Sequence, residues 1–223
     1  MNRIDIDMDQ EIGPLLVRTG AFLRHPDAQL AVPRKGRLIF SRLSQQLYWM
    51  FRVSAGTYTL TTPYGHAYIV RQDLAAGEGF FVKLQHLLAF SESMFPRVVW
   101  KFDLTSLLTM QFRYIYLEGP GRLYLFGLGF LSFDELLSKN APSDYDQGAV
   151  IGFSSGLHVG VTTRSSLSAA LLAREDICLD RFVGDGVVLT QASTAKRLPE
   201  PFHNQGARNT LMDYLNALLG VRM

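Results

Sequence analysis

The sequence contains a single cysteine, Cys178, and no long uninterrupted run of apolar residues. One cysteine cannot form a disulfide within the chain, so we expect a small core residue at this position and a reducing, cytoplasmic setting. A membrane-spanning helix requires about 20 predominantly apolar residues in succession, and the sequence offers no such segment. Its first residues, MNRIDIDMDQE, are acidic, which is typical of neither a secretory signal nor a transit peptide.

An excess of charge of one sign is also absent, because 22 Lys and Arg residues stand against 20 Asp and Glu residues and leave a net charge of +2. Nucleic-acid binding normally depends on a concentrated basic patch, so we expect no nucleic-acid partner. The one local basic cluster is Arg34, Lys35 and Arg37. We interpret this cluster first as a solvated loop, with contact to an anion or a lipid surface as the alternative.

Histidine and glycine lack the spacing of metal and phosphate sites. The histidines form no HxH or HxxxH pair, which a histidine-based metal site would favour. Gly127 and Gly129 begin a G-x-G pattern without a third glycine or a following helix, and the chain has no Gly-Lys-Ser/Thr sequence. These patterns predict no metal and no cofactor. The histidines, each expected to be exposed or hydrogen bonded, are His25, His66, His86, His158 and His203.

Many short segments have the pattern of β-strands. Apolar and acidic side chains alternate over residues 4–8, and large apolar side chains occupy every second position over residues 47–53. Residues 57–62 are rich in β-branched and aromatic residues. Turn residues separate such segments about every 8–12 residues, which favours a β-sandwich or a barrel-like solenoid. Residues 114–136 are the clearest example, with a strand, a Gly-Pro-Gly turn and two further strands. Because long amphipathic helices between the strands are absent, we predict an all-β fold rather than a doubly wound α/β fold.

A glycine recurs at intervals of 65 residues, at Gly56, Gly121 and Gly186, and the flanking strands align with it. We interpret the chain as a single domain, residues 1–223, built from three repeats at residues 1–75, 76–140 and 141–205. The matching positions are Trp49, Tyr114 and Leu179 before the glycine, Tyr58, Leu123 and Val188 after it, and the pairs Ala21-Phe22, Ala89-Phe90 and Gly152-Phe153.

Each recurring glycine is expected to close a β-hairpin. Pro120 would preset one turn position in the second repeat, and Gly121 would supply a positive φ angle at the next, as Gly186 would in the third. A single unit of about 65 residues would leave an apolar sheet face exposed, and stacking three units would bury it.

The end of the chain departs from the β pattern. Apolar residues recur at helical spacing between Gly206 and Gly220, which predicts an amphipathic helix over residues 206–220. We expect this helix to cover an open end or edge of the β core. Contact with another subunit is the second interpretation, and a peripheral contact with a membrane surface is the third.

Three segments share their order and spacing with a known family: FVKLQHLLAFSESM at residues 81–94, LEGPGRLYLFGLGFLSFDEL at 117–136 and RFVGDGVVLTQAS at 181–193. They resemble the altered-inheritance-of-mitochondria protein 24 family over roughly residues 12–195. The resemblance implies a TRAP-like fold, a short double-stranded β-helix, in proteins of unassigned biochemical activity. Eukaryotic members are linked to mitochondrial inner-membrane organisation. That role is not carried over, since we expect no presequence from the acidic first residues and the segment around residues 34–44 is shortened and poor in glycine.

One enzyme-like pattern has to be weighed. Residues 152–156, GFSSG, match the G-x-S-x-G nucleophile elbow of serine hydrolases, with Ser154 as the nucleophile. Asp176, Asp180 and His203 follow in the order that those enzymes use. An elbow requires a helix directly after it, whereas we expect residues 157–163 to form a strand. The repeat alignment also places Ser154 on Ser91, which has no flanking pair of glycines.

We therefore expect a non-enzymatic scaffold or binding protein, with a homo-oligomer as its assembly. A serine hydrolase using Ser154 is the alternative, and an RNA-binding, ring-forming protein is a weaker one because fold does not imply function. We assign no catalytic, cofactor-binding or metal-binding residue.

Overall fold

The computed structural model describes residues 3–8, 13–18, 29–31, 50–54, 56–62, 67–100, 113–136, 141–146, 148–163 and 178–192. Their regular structure is almost entirely β, with a short 3₁₀ helix at Leu84–His86, so the all-β prediction is confirmed. The strands are β1 Arg3–Asp7, β2 Leu15–Arg18, β3 Gln29–Ala31, β4 Met50–Val53, β5 Thr57–Thr61, β6 Ala67–Leu74, β7 Gly79–Val82, β8 Leu87–Ser91, β9 Arg97–Trp100, β10 Arg113–Glu118, β11 Gly121–Leu128, β12 Phe130–Leu136, β13 Ser143–Asp146, β14 Val150–Ser154, β15 Leu157–Thr163, β16 Cys178–Gly184 and β17 Gly186–Ala192.

The predicted helix at residues 206–220 and the basic cluster Arg34, Lys35 and Arg37 lie outside these ranges. Among the residues that the structure does describe, no helix is long and apolar enough to cross a membrane.

The described strands form four sheets, and every pairing in them is antiparallel. Sheet 1 pairs β1 with β5, and sheet 4 has the order β13-β16-β15. Sheet 2 has the order β3-β4-β2-β8-β11-β6, and sheet 3 has the order β12-β17-β14-β7-β10-β9. Sheet 2 therefore combines strands from the first and second thirds of the chain, and sheet 3 combines strands from the second and the last. Successive thirds of the chain therefore share sheets, and the strands of one third cover the backbone edges of strands from the next.

Three hydrophobic clusters fill the spaces between successive sheets. In β11, Leu123 and Leu125 belong to the cluster between sheets 2 and 3, whereas Tyr124 and Phe126 belong to the cluster between sheets 1 and 2. A third cluster, which includes Phe153 and Phe182, joins sheets 3 and 4. The centre of sheet 2 is thus buried on both faces, which explains why all five residues of β8 are buried and the first four of them are apolar. Burying one such Leu or Phe side chain contributes about 1.5–3 kcal/mol.

The three recurring glycines lie at crossings between sheets, so the prediction that they close hairpins is wrong. Strand β10 pairs with β7 and β9 in sheet 3, whereas β11, which follows Gly119-Pro120, pairs with β6 and β8 in sheet 2. The chain likewise passes from sheet 4 to sheet 3 at Gly186 and from sheet 2 to sheet 1 near Gly56. Turn residues allow the chain to change direction but do not select the partner strand. Here the partner is set by burial, because each strand after the turn completes a different sheet.

The conformations of these glycines also correct the prediction. Gly56 has a positive φ of 86°, whereas Gly121 and Gly186 are not in the positive-φ region. A Cβ at Gly121 would lie 2.6 Å from Cγ of the buried Met94. A Cβ at Gly186 would collide with Oγ of Ser154. Glycine is required at these two positions because other side chains pass close to the backbone, and not because of its φ angle.

The strand pairing around two of the glycines agrees in register. Phe90 lies opposite Leu123 in the β8–β11 pair, and Phe153 lies opposite Val188 in the β14–β17 pair. Both pairs then show a register shift one residue farther along β11 and β17. In the β1–β5 pair the corresponding position is occupied by Ile6, opposite Tyr58. Ile6 therefore lies opposite Tyr58, in the place for which the proposed repeat predicted Ala21-Phe22. Ala21 and Phe22 themselves lie outside the described ranges.

Candidate functional site

Ser154 ends β14, and the neighbouring turn holds its hydroxyl. The backbone N–H of Val187 donates a hydrogen bond to Ser154 Oγ over 2.8 Å. After the residues Ser155 and Gly156 the chain continues as β15, which confirms the predicted strand at residues 157–163. A nucleophile elbow needs a helix here, to expose the hydroxyl and to direct a backbone N–H at the oxyanion. The local fold therefore does not form an elbow.

Ser91, at the end of β8, makes the same contact. The backbone N–H of Arg122 donates to Ser91 Oγ over 2.9 Å. Arg122 and Val187 each follow one of the recurring glycines, Gly121 and Gly186. A Cβ at Gly186 would collide with Ser154 Oγ, and a Cβ at Gly121 would meet Met94 first and Ser91 Cβ at 3.0 Å. The two serines thus hold the first residue after the glycine in place, and this explains the GFSSG pattern without catalysis.

The proposed partners of Ser154 do not complete a triad within the described residues. Asp176 and His203 lie outside those residues. Asp180 is buried on β16 and lies opposite Val161. Val161 is the fifth residue of β15, about 13 Å along that strand from its start at a rise of about 3.3 Å per residue. Asp180 is therefore far from the end of the strand pair where Ser154 lies.

The two described histidines have ordinary environments. His86 is buried, and its Nδ1 donates to the Phe126 carbonyl oxygen over 2.9 Å, because a carbonyl can only accept. Its Nε2 lies 3.0 Å from Nε2 of Gln85 and accepts a hydrogen bond from that amide. His158 is exposed on β15. Within the ranges that the structure describes, no group of three or more His, Cys, Asp or Glu side chains is arranged to hold a metal ion.

The G-x-G pattern at Gly127 and Gly129 belongs to a bend between strands. Gly129, with a φ of 72°, joins β11 to β12, and the strand that follows excludes a phosphate-binding helix at this point. A Cβ at Gly127 would approach Ile151, Leu131 and the side chain of Gln191 too closely. Gln191 is nearly buried and bridges three elements. Its Oε1 accepts from the Leu128 N–H, and its Nε2 donates to the Gly148 carbonyl, both over 2.8 Å.

Strand β12 is an edge of sheet 3 that exposes large apolar side chains. The exposed fraction is 72% for Phe130 and 39% for Phe133. Two leucines of the same strand point inward: Leu131 packs against the core between sheets 2 and 3, and Leu136 packs against the core between sheets 3 and 4. The strand is therefore anchored while both phenylalanines remain in contact with solvent. Natural edges are usually blunted by charges, proline or short length; β12 carries Asp134 and Glu135 and still leaves two aromatic side chains in solvent.

Neither phenylalanine was singled out from the sequence. The one signal is that apolar residues occupy both alternating sets of positions in the segment FLSFDEL, interrupted by Ser132, Asp134 and Glu135. Such a strand cannot bury one face and present only polar groups on the other. The pattern indicates that some apolar groups stay exposed, but it does not say which.

A polar cluster lies beside this edge, where sheets 3 and 4 meet. Ser132 Oγ donates to Asp134 Oδ1 over 2.8 Å, and Tyr145 of β13 is hydrogen bonded to the same carboxylate. Partial burial, reinforced by the nearby charge of Asp134, raises the pKa of Tyr145. A tyrosine that is harder to ionise is a poor nucleophile or base at neutral pH. The cluster therefore holds the two sheets together and has no evident catalytic use.

Comparison with known proteins shows the fold only. No protein-family model matches the chain, and none of the curated proteins compared with it is similar. The crystal structure of protein SPYM3_0169 from Streptococcus pyogenes is similar, with a TM-score of 0.62 and 16% sequence identity, over 86% of this chain and 87% of that one. The similarity extends over most of both chains, which supports an all-β sandwich and, at this identity, carries no statement about activity.

Proposed function

We propose that the chain is a non-enzymatic binding or scaffold protein whose contact surface is the β12 edge. The observation that carries this proposal is the exposure of Phe130 and Phe133 on one seven-residue edge strand. Exposed aromatic residues of this kind are enriched where proteins bind one another. The geometry around Ser154, whose hydroxyl already accepts a backbone hydrogen bond, favours this proposal over the serine hydrolase.

A third exposed aromatic residue, on a second edge strand, strengthens the proposal. Tyr68 on β6, the edge strand of sheet 2, is 47% exposed and lies opposite Gly127. Phe130 lies opposite Ala192, and Gly127 and Ala192 are 65 residues apart, the interval of the proposed repeat. The two aromatics therefore occupy matching places, and Cα atoms of β6 and β12 come within 8 Å of each other. This agreement supports three internal repeats and an aromatic surface that extends over both edges.

The wider assignment follows from the same features. We propose a repeat-built member of the altered-inheritance-of-mitochondria protein 24 family with a TRAP-like fold, acting in the cytoplasm as a homo-oligomer. The register agreement between the β8–β11 and β14–β17 pairs supports the repeat. The net charge of +2 offers little attraction for RNA, so the RNA-binding alternative gains no support.

The test compares capture of partners from the native cell by the wild type and by a double variant, Phe130→Ser with Phe133→Ser. We expect the captured proteins to be lost with the double variant. Retention of all of them would reject the β12 edge as the contact surface. The control is Phe95→Ser. Phe95 is 47% exposed, between the values for Phe133 and Phe130, and it lies in a loop outside β6 and β12. For the hydrolase, labelling of Ser154 by an active-site phosphonate, lost in Ser154→Ala, would instead overturn the non-enzymatic assignment.

A further inference from the structure

We propose that the occupant of the β12 edge is β12 of a second copy of this chain, paired antiparallel about a twofold axis at Phe133. This inference rests on the proposed function of the edge. On its inner side β12 pairs with β17 in continuous register, from Phe130 opposite Ala192 to Leu136 opposite Gly186. On its outer side no described strand pairs with it. Its backbone is already extended and held, so adding a strand requires little ordering of the chain.

The residues of β12 select one register for pairing with itself. With the axis at Phe133, that side chain faces its own copy, and Phe130 faces Leu136 of the second copy. Asp134 then faces Ser132, a small side chain without charge, and two carboxylates are not brought together. Moving the axis to Asp134 would place two carboxylates directly opposite each other, and moving it to Ser132 would place Phe130 opposite Asp134. Like charges in directly opposed positions destabilise a strand pair, whereas aromatic pairs stabilise it.

The charges on β12 also favour an apolar partner strand. Asp134 already accepts from Ser132 of its own strand and is hydrogen bonded to Tyr145. Its charge is therefore stabilised within its own subunit, and a basic partner is not needed to neutralise it. Glu135 is exposed to solvent and in this register lies opposite Leu131. The apolar side chains left without cover are Phe130 and Phe133, and a second β12 covers both because it brings the same two side chains and Leu136 in the reverse direction.

Disulfide trapping tests the register. In a directly opposed antiparallel pair the two Cα atoms lie about 4.5–5.5 Å apart, which is within the range for a disulfide. The variant Phe133→Cys should therefore form a covalent dimer under mild oxidation, with the linkage between the two introduced cysteines identified by mass spectrometry. The matched control is Glu135→Cys on the same face of the strand. In this register its two copies are four residues apart, about 13 Å, so they should not cross-link.

The mass of the full chain in solution gives an independent measurement. We expect a dimer for the wild type, and at least a tenfold higher dimer dissociation constant for Phe133→Asp, which would place two carboxylates opposite each other. Circular dichroism should show that the variant remains folded, since Phe133 is already 39% exposed. A wild type that stays monomeric, or a Glu135→Cys variant that cross-links as efficiently as Phe133→Cys, would overturn the proposal. If the wild type is monomeric while partner capture still depends on Phe130 and Phe133, the occupant is a different protein. The β12 edge then remains the proposed contact surface, whereas the self-pairing and the homo-oligomer are both rejected.

Discussion

Replacing Gln191 with leucine tests the packing where sheets 2 and 3 meet. Its side chain links the Leu128 N–H, at the end of β11, to the Gly148 carbonyl, just before β14. Leucine has nearly the same size but can make neither hydrogen bond. The Leu128 N–H is half-buried and would lose its partner, whereas Gly148 is exposed and can turn to water.

The expected loss follows from these environments. An unsatisfied buried donor costs about 1–3 kcal/mol, and a hydrogen bond that water can replace contributes about 0.5–1.5 kcal/mol. Together they predict that Gln191→Leu lowers the free energy of unfolding by about 2–3 kcal/mol. For a chain of this size, a loss of 1 kcal/mol lowers Tm by about 2–4 °C, so Tm should fall by about 5–10 °C.

The measurement is urea and thermal unfolding followed by circular dichroism. Gln72→Leu is the matched control, because Gln72 lies on β6 and its Nε2 donates to the adjacent Asp73 carbonyl in an exposed position. Its loss should change the free energy of unfolding by less than about 0.5 kcal/mol. If the two leucine variants differ from each other by less than that amount, Gln191 does not bridge the sheets as described.

Four further substitutions test other contacts in the fold. Ser91→Ala and Ser154→Ala should each lower the free energy of unfolding by about 1–2 kcal/mol, since each removes the acceptor of a backbone N–H; chemical denaturation measures this, and a silent Ser154→Ala would contradict the shared role. Gly121→Ala should cost about 1–3 kcal/mol because the added methyl group overlaps a buried methionine, and an unchanged urea midpoint would show that the site has room. The pKa of Asp144 is lowered mainly by its hydrogen bond from Arg181. This carboxylate therefore stabilises the folded chain above its unfolded-state pKa, and the contribution is lost as the pH falls through the folded-state pKa. Unfolding measured between pH 6 and pH 2 should show a smaller loss for Asp144→Asn than for the wild type, and equal losses would reject the pair.

Several elements could be predicted from local sequence because their signals are local. The alternation at residues 4–8 predicted β1 with Ile6 buried, and the β-branched run at residues 57–62 predicted β5. The alignment of Ser154 with Ser91 anticipated their common environment, which both show as acceptors of a backbone N–H after a glycine. Such agreement arises because strand periodicity and turn composition depend on the nearest residues.

The pairing of strands and the candidate surface required the tertiary structure. Gly121 looked like a hairpin glycine, but the packing of Met94 and Ser91 against it explains why it is there. Phe130 and Phe133 have no distinguishing pattern in the sequence, and the position of β12 at the edge of sheet 3 leaves them exposed.

From the sequence alone it was determined that the chain is all-β, that its strands end at glycine-rich turns and that it lacks the spacing of a metal or phosphate site. The tertiary structure decided which strands become neighbours, which glycines are needed for space and which aromatic residues face solvent. The physical reason is that a strand's tendency to form depends on its own side chains. Its partner and its burial depend on segments far away in the chain, which compete for the same backbone edges and apolar faces.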